Sequence, residues 1–170
     1  MAVLAADIKY YLSGGAANTN PALALGGAIS TTELVDNSAA NLFPNAAGTE
    51  TLAGSTDYLC LYVKNTSAQT FFSAQIYVTQ ITTSTEDEIT MALGSSAINA
   101  TEQTITNITT APTGLSAFSA PTTYATGLVI GDMVASATKA VWFKRVINAS
   151  LATPVDANTF KFETDGDTAA

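Results

Sequence analysis

The stretch DYLCLYVKNTSAQTFFSAQIYVTQI, residues 57–81, constrains this chain more than any other. In an extended backbone successive side chains point to opposite faces. Tyr58, Cys60, Tyr62 and Lys64 therefore share one side of a first strand, and Leu59, Leu61 and Val63 share the other. Asn65-Thr66-Ser67-Ala68-Gln69 interrupts the alternation with turn-prone residues. A second strand follows, with Phe72, Ala74, Ile76 and Val78 on one face and Phe71, Ser73, Gln75, Tyr77 and Thr79 on the other. β-branched and aromatic residues dominate both halves, which favours strand over helix. The spacing predicts a hairpin at the centre of an antiparallel core.

Further strand patterns flank this centre. Asp7 to Leu12 is a short candidate closed by Ser13-Gly14-Gly15, and Gly26 to Thr32 is a second. Between them and on to Asn45 the chain is rich in Ala, Gly, Asn and Ser, with breaks at Pro21 and Pro44 and an apolar anchor at Leu42-Phe43. Residues 1–45 read as an extended N-terminal arm with short strands, and 46–170 as a β-sandwich domain. Asn45 to Thr56 reads as a loop. Glu86 to Leu93 alternates as a half-buried strand, with Ile89, Met91 and Leu93 inward. Gly94 to Ala125 suggests loops and edge strands in which Ile105 and Ile108, or Leu115 and Phe118, tuck into the core.

Leu128 to Met133 reads as a buried segment closed by a turn. In Ala140 to Ile147, Val141, Phe143 and Ile147 share a face with Arg145, opposite Trp142, Lys144 and Val146. Asn148 to Asn158 is expected as a loop, Thr159 to Glu163 as a closing strand, and Thr164 to Ala170 as a polar tail. Roughly seven to nine short strands with turn signals between them point to an antiparallel β-sandwich or jelly roll.

Composition narrows the function classes. Charged residues are only 12% of the 170, against roughly 25% in ordinary soluble domains. A surface that poor in charge suits a protein packed against others, or a merely Thr-rich β-protein. Six basic residues against fourteen acidic give a net charge of −8, a field that repels phosphate backbones. Lys139, Lys144 and Arg145 form the only local basic group and read as solvated strand residues, so no nucleic-acid partner is expected. The N-terminal residues lack the pattern of a signal peptide, and no apolar run approaches the roughly 20 residues that span a bilayer. A soluble chain made in the cytoplasm, with no membrane partner, is expected.

The chain contains no histidine and one cysteine, Cys60, so histidine-based triads and the usual zinc sites are excluded. Cys60 reads as a buried, inert thiol. No phosphate-binding glycine loop is present. Glu86 and Glu88 share a strand face, as a carboxylate pair requires, although a solvated strand start is the plainer reading. Asp165-Gly166-Asp167 offers oxygen ligands to calcium but lacks the longer loop of a recognised site, so an ordinary turn is expected. Sequons at Asn65, Asn99, Asn107 and Asn148 fit chance in this composition. Tyr10, Tyr11, Tyr58, Tyr62 and Trp142 suit a sugar-binding shelf or, more ordinarily, a core or subunit interface. No catalytic, cofactor-binding or metal-binding residue is assigned, no cofactor is expected, and an enzyme is not expected.

Several stretches together resemble a family of tailed-bacteriophage virion proteins. They are DIKYYLSGGAANTNPALALGGAIST from Asp7, LFPN at Leu42, DYLCLYVKNTSA from Asp57, AVWFKRVINA from Ala140 and FKFETDGDTA from Phe160. The match spans most of the chain and is weakest from Gly94 to Thr126. The resemblance implies a non-enzymatic head decoration, or cement, protein on the outer capsid surface. Its implied partners are the major capsid protein and further copies of itself, with a trimer expected. A tail or baseplate component that binds host glycans is the alternative. On this reading Asp7 to Phe43 clasps a neighbour or the capsid lattice, and deletion of residues 1–25 abolishes particle binding without unfolding the sandwich.

Overall fold

The structure is a computed structural model that describes residues 2–35, 41–149 and 159–168. The expected Asn148–Asn158 loop, with Pro154, and the last two residues fall mainly outside this range. Eight strands are described: β1 (Ile8–Ser13), β2 (Ile29–Glu33), β3 (Ser55–Asn65), β4 (Phe71–Gln80), β5 (Asp87–Leu93), β6 (Leu128–Met133), β7 (Thr138–Ile147) and β8 (Lys161–Thr168). They form two antiparallel sheets, a five-stranded one in the order β2-β1-β3-β7-β5 and a three-stranded one in the order β6-β4-β8. The fold is mainly β and consistent with the expected sandwich.

β3 and β7 form the spine. Their ladder runs from Ser55↔Ile147 to Lys64↔Thr138 without a break. Leu59, Leu61, Val63, Val141 and Phe143 point from this spine into the gap between the sheets, and each is at most 0% exposed. Ala74, Ile76 and Val78 of β4 meet them from the other side. Removing that apolar surface from water is the main force closing the sandwich, at roughly 1.5–3 kcal/mol for each large side chain.

The expected hairpin does not form. β3 and β4 are consecutive in the chain, yet they belong to different sheets. The Asn65–Gln69 connection carries the backbone across the sandwich instead of reversing it within one sheet. Asn65 anchors this crossing: its buried amide donates to the carbonyls of Gln69 and Met133, each at 2.8 Å. The face assignment in β4 also slips. Phe71 is buried and Phe72 exposed, the reverse of strict alternation, because the ladders to β6 and β8 both shift here. Ser73 sits within that irregularity at φ 51°, and the extra residue restores Ala74 to the core.

Four other segments differ from expectation. Gly48–Ala53 is a short helix, α1, within the expected 45–56 loop. β6 is a half-buried edge strand with Val129 well exposed, not a buried segment. The expected polar tail continues β8 to Thr168, paired with β4, so Asp165-Gly166-Asp167 is strand and not a turn. Residues 94–127 contain no full strand; 94–118 cross the far face of the large sheet, where Thr104 bridges to Gly26 of the other covering segment, and Ser119 bridges to Met91 at the β5 edge.

β1 lies between β2 and β3 in the large sheet, and its Leu12 is 1% exposed. Deletion of residues 1–25 therefore removes an interior strand, and the expectation that the sandwich survives it is corrected.

Candidate functional site

The large sheet buries both of its faces. Cys60, Tyr62, Ala140 and Trp142 point away from the sandwich gap into a second, smaller core with Ile105, flanked by Tyr58, Leu115 and Phe118. Residues 14–28 and 94–118 cover it. Gly26 lets the cover seat closely: it has φ +87°, and a Cβ there would lie 1.9 Å from the Gln103 carbonyl oxygen. The cover also completes β3, whose Cys60 N–H donates to Ala24 O and whose Tyr58 N–H donates to Ile108 O, both at 2.7 Å.

At the rim of this second core lies Glu102, a carboxylate only 3% exposed. Burial alone raises a carboxyl pKa, but four donors outweigh it. The Ser96 N–H at 3.0 Å, Ser96 Oγ at 2.7 Å, Ser95 Oγ at 3.0 Å and Gln103 N–H at 3.1 Å hold the group down to about 2. Gly94 makes room for it, since a Cβ there would come within 2.2 Å of Glu102 Oε2. The Tyr62 hydroxyl accepts from the Glu102 N–H at 2.9 Å and donates to Gly27 O at 2.6 Å, joining the two covering segments. Burial pushes this phenol up to about 12. Lys139 Nζ donates to the carbonyls of Gly94 and Ser96, closing the same loop from β7. The Trp142 Nε1–H is buried without a partner among the described residues.

A second polar cluster ends the inner face. Arg145 donates from Nε to Asp87 Oδ1 at 2.8 Å and from Nη2 to Asp87 Oδ2 at 2.6 Å, a two-pronged pairing. Its Nη1 donates to Pro44 O at 2.6 Å, and its guanidinium lies 5.9 Å from the Phe43 ring centroid. Asp57 stands opposite Arg145 in the β3–β7 ladder. Burial raises the Asp57 pKa, and Glu50 adds to the rise while Arg145 opposes it. Arg145 is only 9% exposed, which corrects its reading as a solvated strand residue. Its place beside Val141, Phe143 and Ile147 on the inner face is the cause.

The other singled-out residues do not converge. Glu86 and Glu88 are exposed, while Asp87 between them turns in to Arg145. Cys60 is fully buried, and burial pushes its thiol pKa up, away from the reactive thiolate. Tyr62 and Trp142 are buried in the second core, Tyr58 packs on Phe118, and Tyr10 packs edge-on to Phe162 across the gap. Tyr11 lies under Lys64. These five aromatics thus form no common shelf. Asn65 is completely buried, which bars a glycan in the folded state, whereas Asn99, Asn107 and Asn148 are exposed. Among the described residues no three Cys, Asp or Glu side chains converge in a way that would hold a metal ion. No helix among them is long and apolar enough to cross a membrane.

Glu102 and Asp57 carried no signal strong enough to single out from sequence. The one available hint for Glu102 was the Gly94-Ser95-Ser96 run, small residues followed by two hydroxyls, but nothing in it marks a partner six residues away. In both clusters polar side chains fasten chain segments to the sheet: Glu102 holds the loop at Ser95 and Ser96, and Arg145, paired with Asp87, holds Pro44. Comparison with family models, curated proteins and solved structures finds no match to this chain. The fold therefore defines a class, an antiparallel two-sheet β protein, and nothing narrower.

Proposed function

We propose that this chain is a non-enzymatic structural protein of a tailed-phage virion, a decoration or cement protein on the outer head surface. Its partners on this reading are the major capsid protein and copies of itself, with closed threefold symmetry. The observation that carries the reading, beside the sequence resemblance, is how the buried polar groups are used. Glu102, Lys139, Arg145, Asp87 and Asn65 each fasten one chain segment to another. A protein whose work is to resist opening needs such fastenings. Its scarcity of charge and its net −8 suit a shell component that stands clear of the packaged nucleic acid.

The test is antibody labelling of intact particles viewed by electron microscopy. Even label over the head, at hundreds of copies per particle, is the expected result. Label confined to a vertex or to the tail would move the protein to the attachment apparatus. Particles free of label and of this chain would end the virion reading.

A further inference from the structure

The geometry points to the outer edge of β8 as a docking edge that accepts an extended, basic segment of another protein as an added strand. Four strands end the two sheets, and three of them are closed or blunted. β2 is overlaid by the preceding loop, to which Ser30 Oγ and Thr32 Oγ1 donate at Asn18 O and Thr31 Oγ1 at Ala16 O. β5 is capped at Met91, which exchanges both backbone hydrogen bonds with Ser119. β6 is bent by Gly131 at φ +92°. β8 differs from all three. Its eight residues run without a glycine at positive φ. Its ladder to β4 shifts twice on the β4 side, and beyond that ladder the one further backbone bond among the described residues is from the Gly166 N–H to Asp165 Oδ1 at 2.7 Å.

An open edge presents a row of unpaired N–H and C=O groups, which is a template for another strand. The side chains of β8 select the occupant. Glu163, Asp165 and Asp167 alternate along its exposed face, with Lys161 the only cation. Spaced two residues apart, the carboxylates repeat about every 6.6 Å. An added strand with Lys or Arg at alternate positions places each cation beside a carboxylate. A second copy of this chain pairing edge to edge would bring like charges together, on a molecule already at −8. The partner is therefore a different, basic chain. This inference concerns the edge alone and does not depend on the virion reading.

The test uses the whole chain and capped octapeptides in which Lys alternates with Thr and Val. Titration is followed by calorimetry and by backbone amide shifts. The expected result is saturable binding with the largest shifts at residues 161–168. Replacing every Lys by Glu should abolish binding, and E163Q/D165N/D167N should weaken it at least tenfold. Glu163 accepts from the Tyr77 hydroxyl and Asp165 from the Gly166 N–H, so circular dichroism verifies that the variant keeps its fold, and D167N alone, which touches neither bond, should weaken binding in the same direction. Backbone N-methylation is the decisive arm. Only every second N–H of an added strand faces β8, so methylating one alternate set should abolish binding and methylating the other should change it less than twofold.

Equal effects of the two methylated sets would reduce the interaction to charge alone and overturn the proposal. So would shifts centred elsewhere, tight binding of the Glu peptide, absence of saturable binding, or self-association of the chain through residues 161–168.

Discussion

The two faces of the large sheet hold their cover by different means. The inner face, with Leu59, Leu61, Val63, Val141 and Phe143, meets a second sheet and is held by volume. The outer face, with Cys60, Tyr62 and Trp142, meets irregular chain, and that cover is held by polar fastenings at Glu102, Tyr62 and Lys139. A sheet satisfies its own backbone and can afford an apolar contact surface. A loop brings unpaired backbone groups with it, so a loop that covers a core must find partners for them. Buried polar side chains are therefore concentrated where the cover is irregular. The Arg145–Asp87 pair obeys the same rule, since it receives the carbonyl of Pro44 from the loop that rides over that end of the sheet.

Substitutions on each side should separate the two mechanisms. Phe143→Ala empties the centre of the inner face and should cost about 4 kcal/mol in urea unfolding, with no strong dependence on pH. Arg145→Ala leaves Asp87 and Asp57 without their cation and should cost about 3 kcal/mol. A loss as small as that of an exposed charge would mean that the pair adds nothing to the inner face.

Glu102→Gln should cost about 2 kcal/mol, and its effect should depend on pH. The Glu102 carboxyl lies at about 2 in the folded state against 4.5 as its ordinary value. Its contribution is thus complete above pH 4.5 and is lost as pH falls through 2. The stability gap between parent and variant should close across that window; a gap unchanged at low pH would show that the clamp is not ionic. Trp142 is the single tryptophan and lies under the cover, so its acrylamide quenching should rise in this variant while far-ultraviolet dichroism stays constant. Tyr62→Phe should have the smallest effect, about 1 kcal/mol, because it removes one hydroxyl and leaves the ring in place. Quenching unchanged in both variants would break the distinction between the faces.

The alternation of residues was the readable part of this fold. It placed Leu59, Leu61 and Val63 opposite Cys60 and Tyr62, and Phe143 opposite Trp142, as the two cores require. Sheet membership was not readable. A five-residue polar link suits a hairpin and a crossing equally, and the choice is made by Asn65, whose amide bonds to Met133, 68 residues away. The slip at Ser73 was hidden for a similar reason: a bulge adds one residue without changing composition. Arg145 shared a face with Val141 and Phe143 in the sequence, and that parity outweighed its charge once Asp87 was in reach. The Glu102 clamp joins two segments that look like undirected loop, where no periodicity exists to read.

The crossing between β3 and β4 bears on how the chain reaches this state. Neither strand can be completed by its neighbour in sequence. β3 waits for β7, and β4 waits for β8. Loop closure over such spans is slow to reward, so folding in milliseconds to seconds is expected, not microseconds. Until β8 arrives, the aromatic underside of Phe143, which Phe160 and Phe162 finally cover, stays open to other chains. During synthesis that interval is when the protein is most exposed to aggregation, and when early contact with a partner would protect it most.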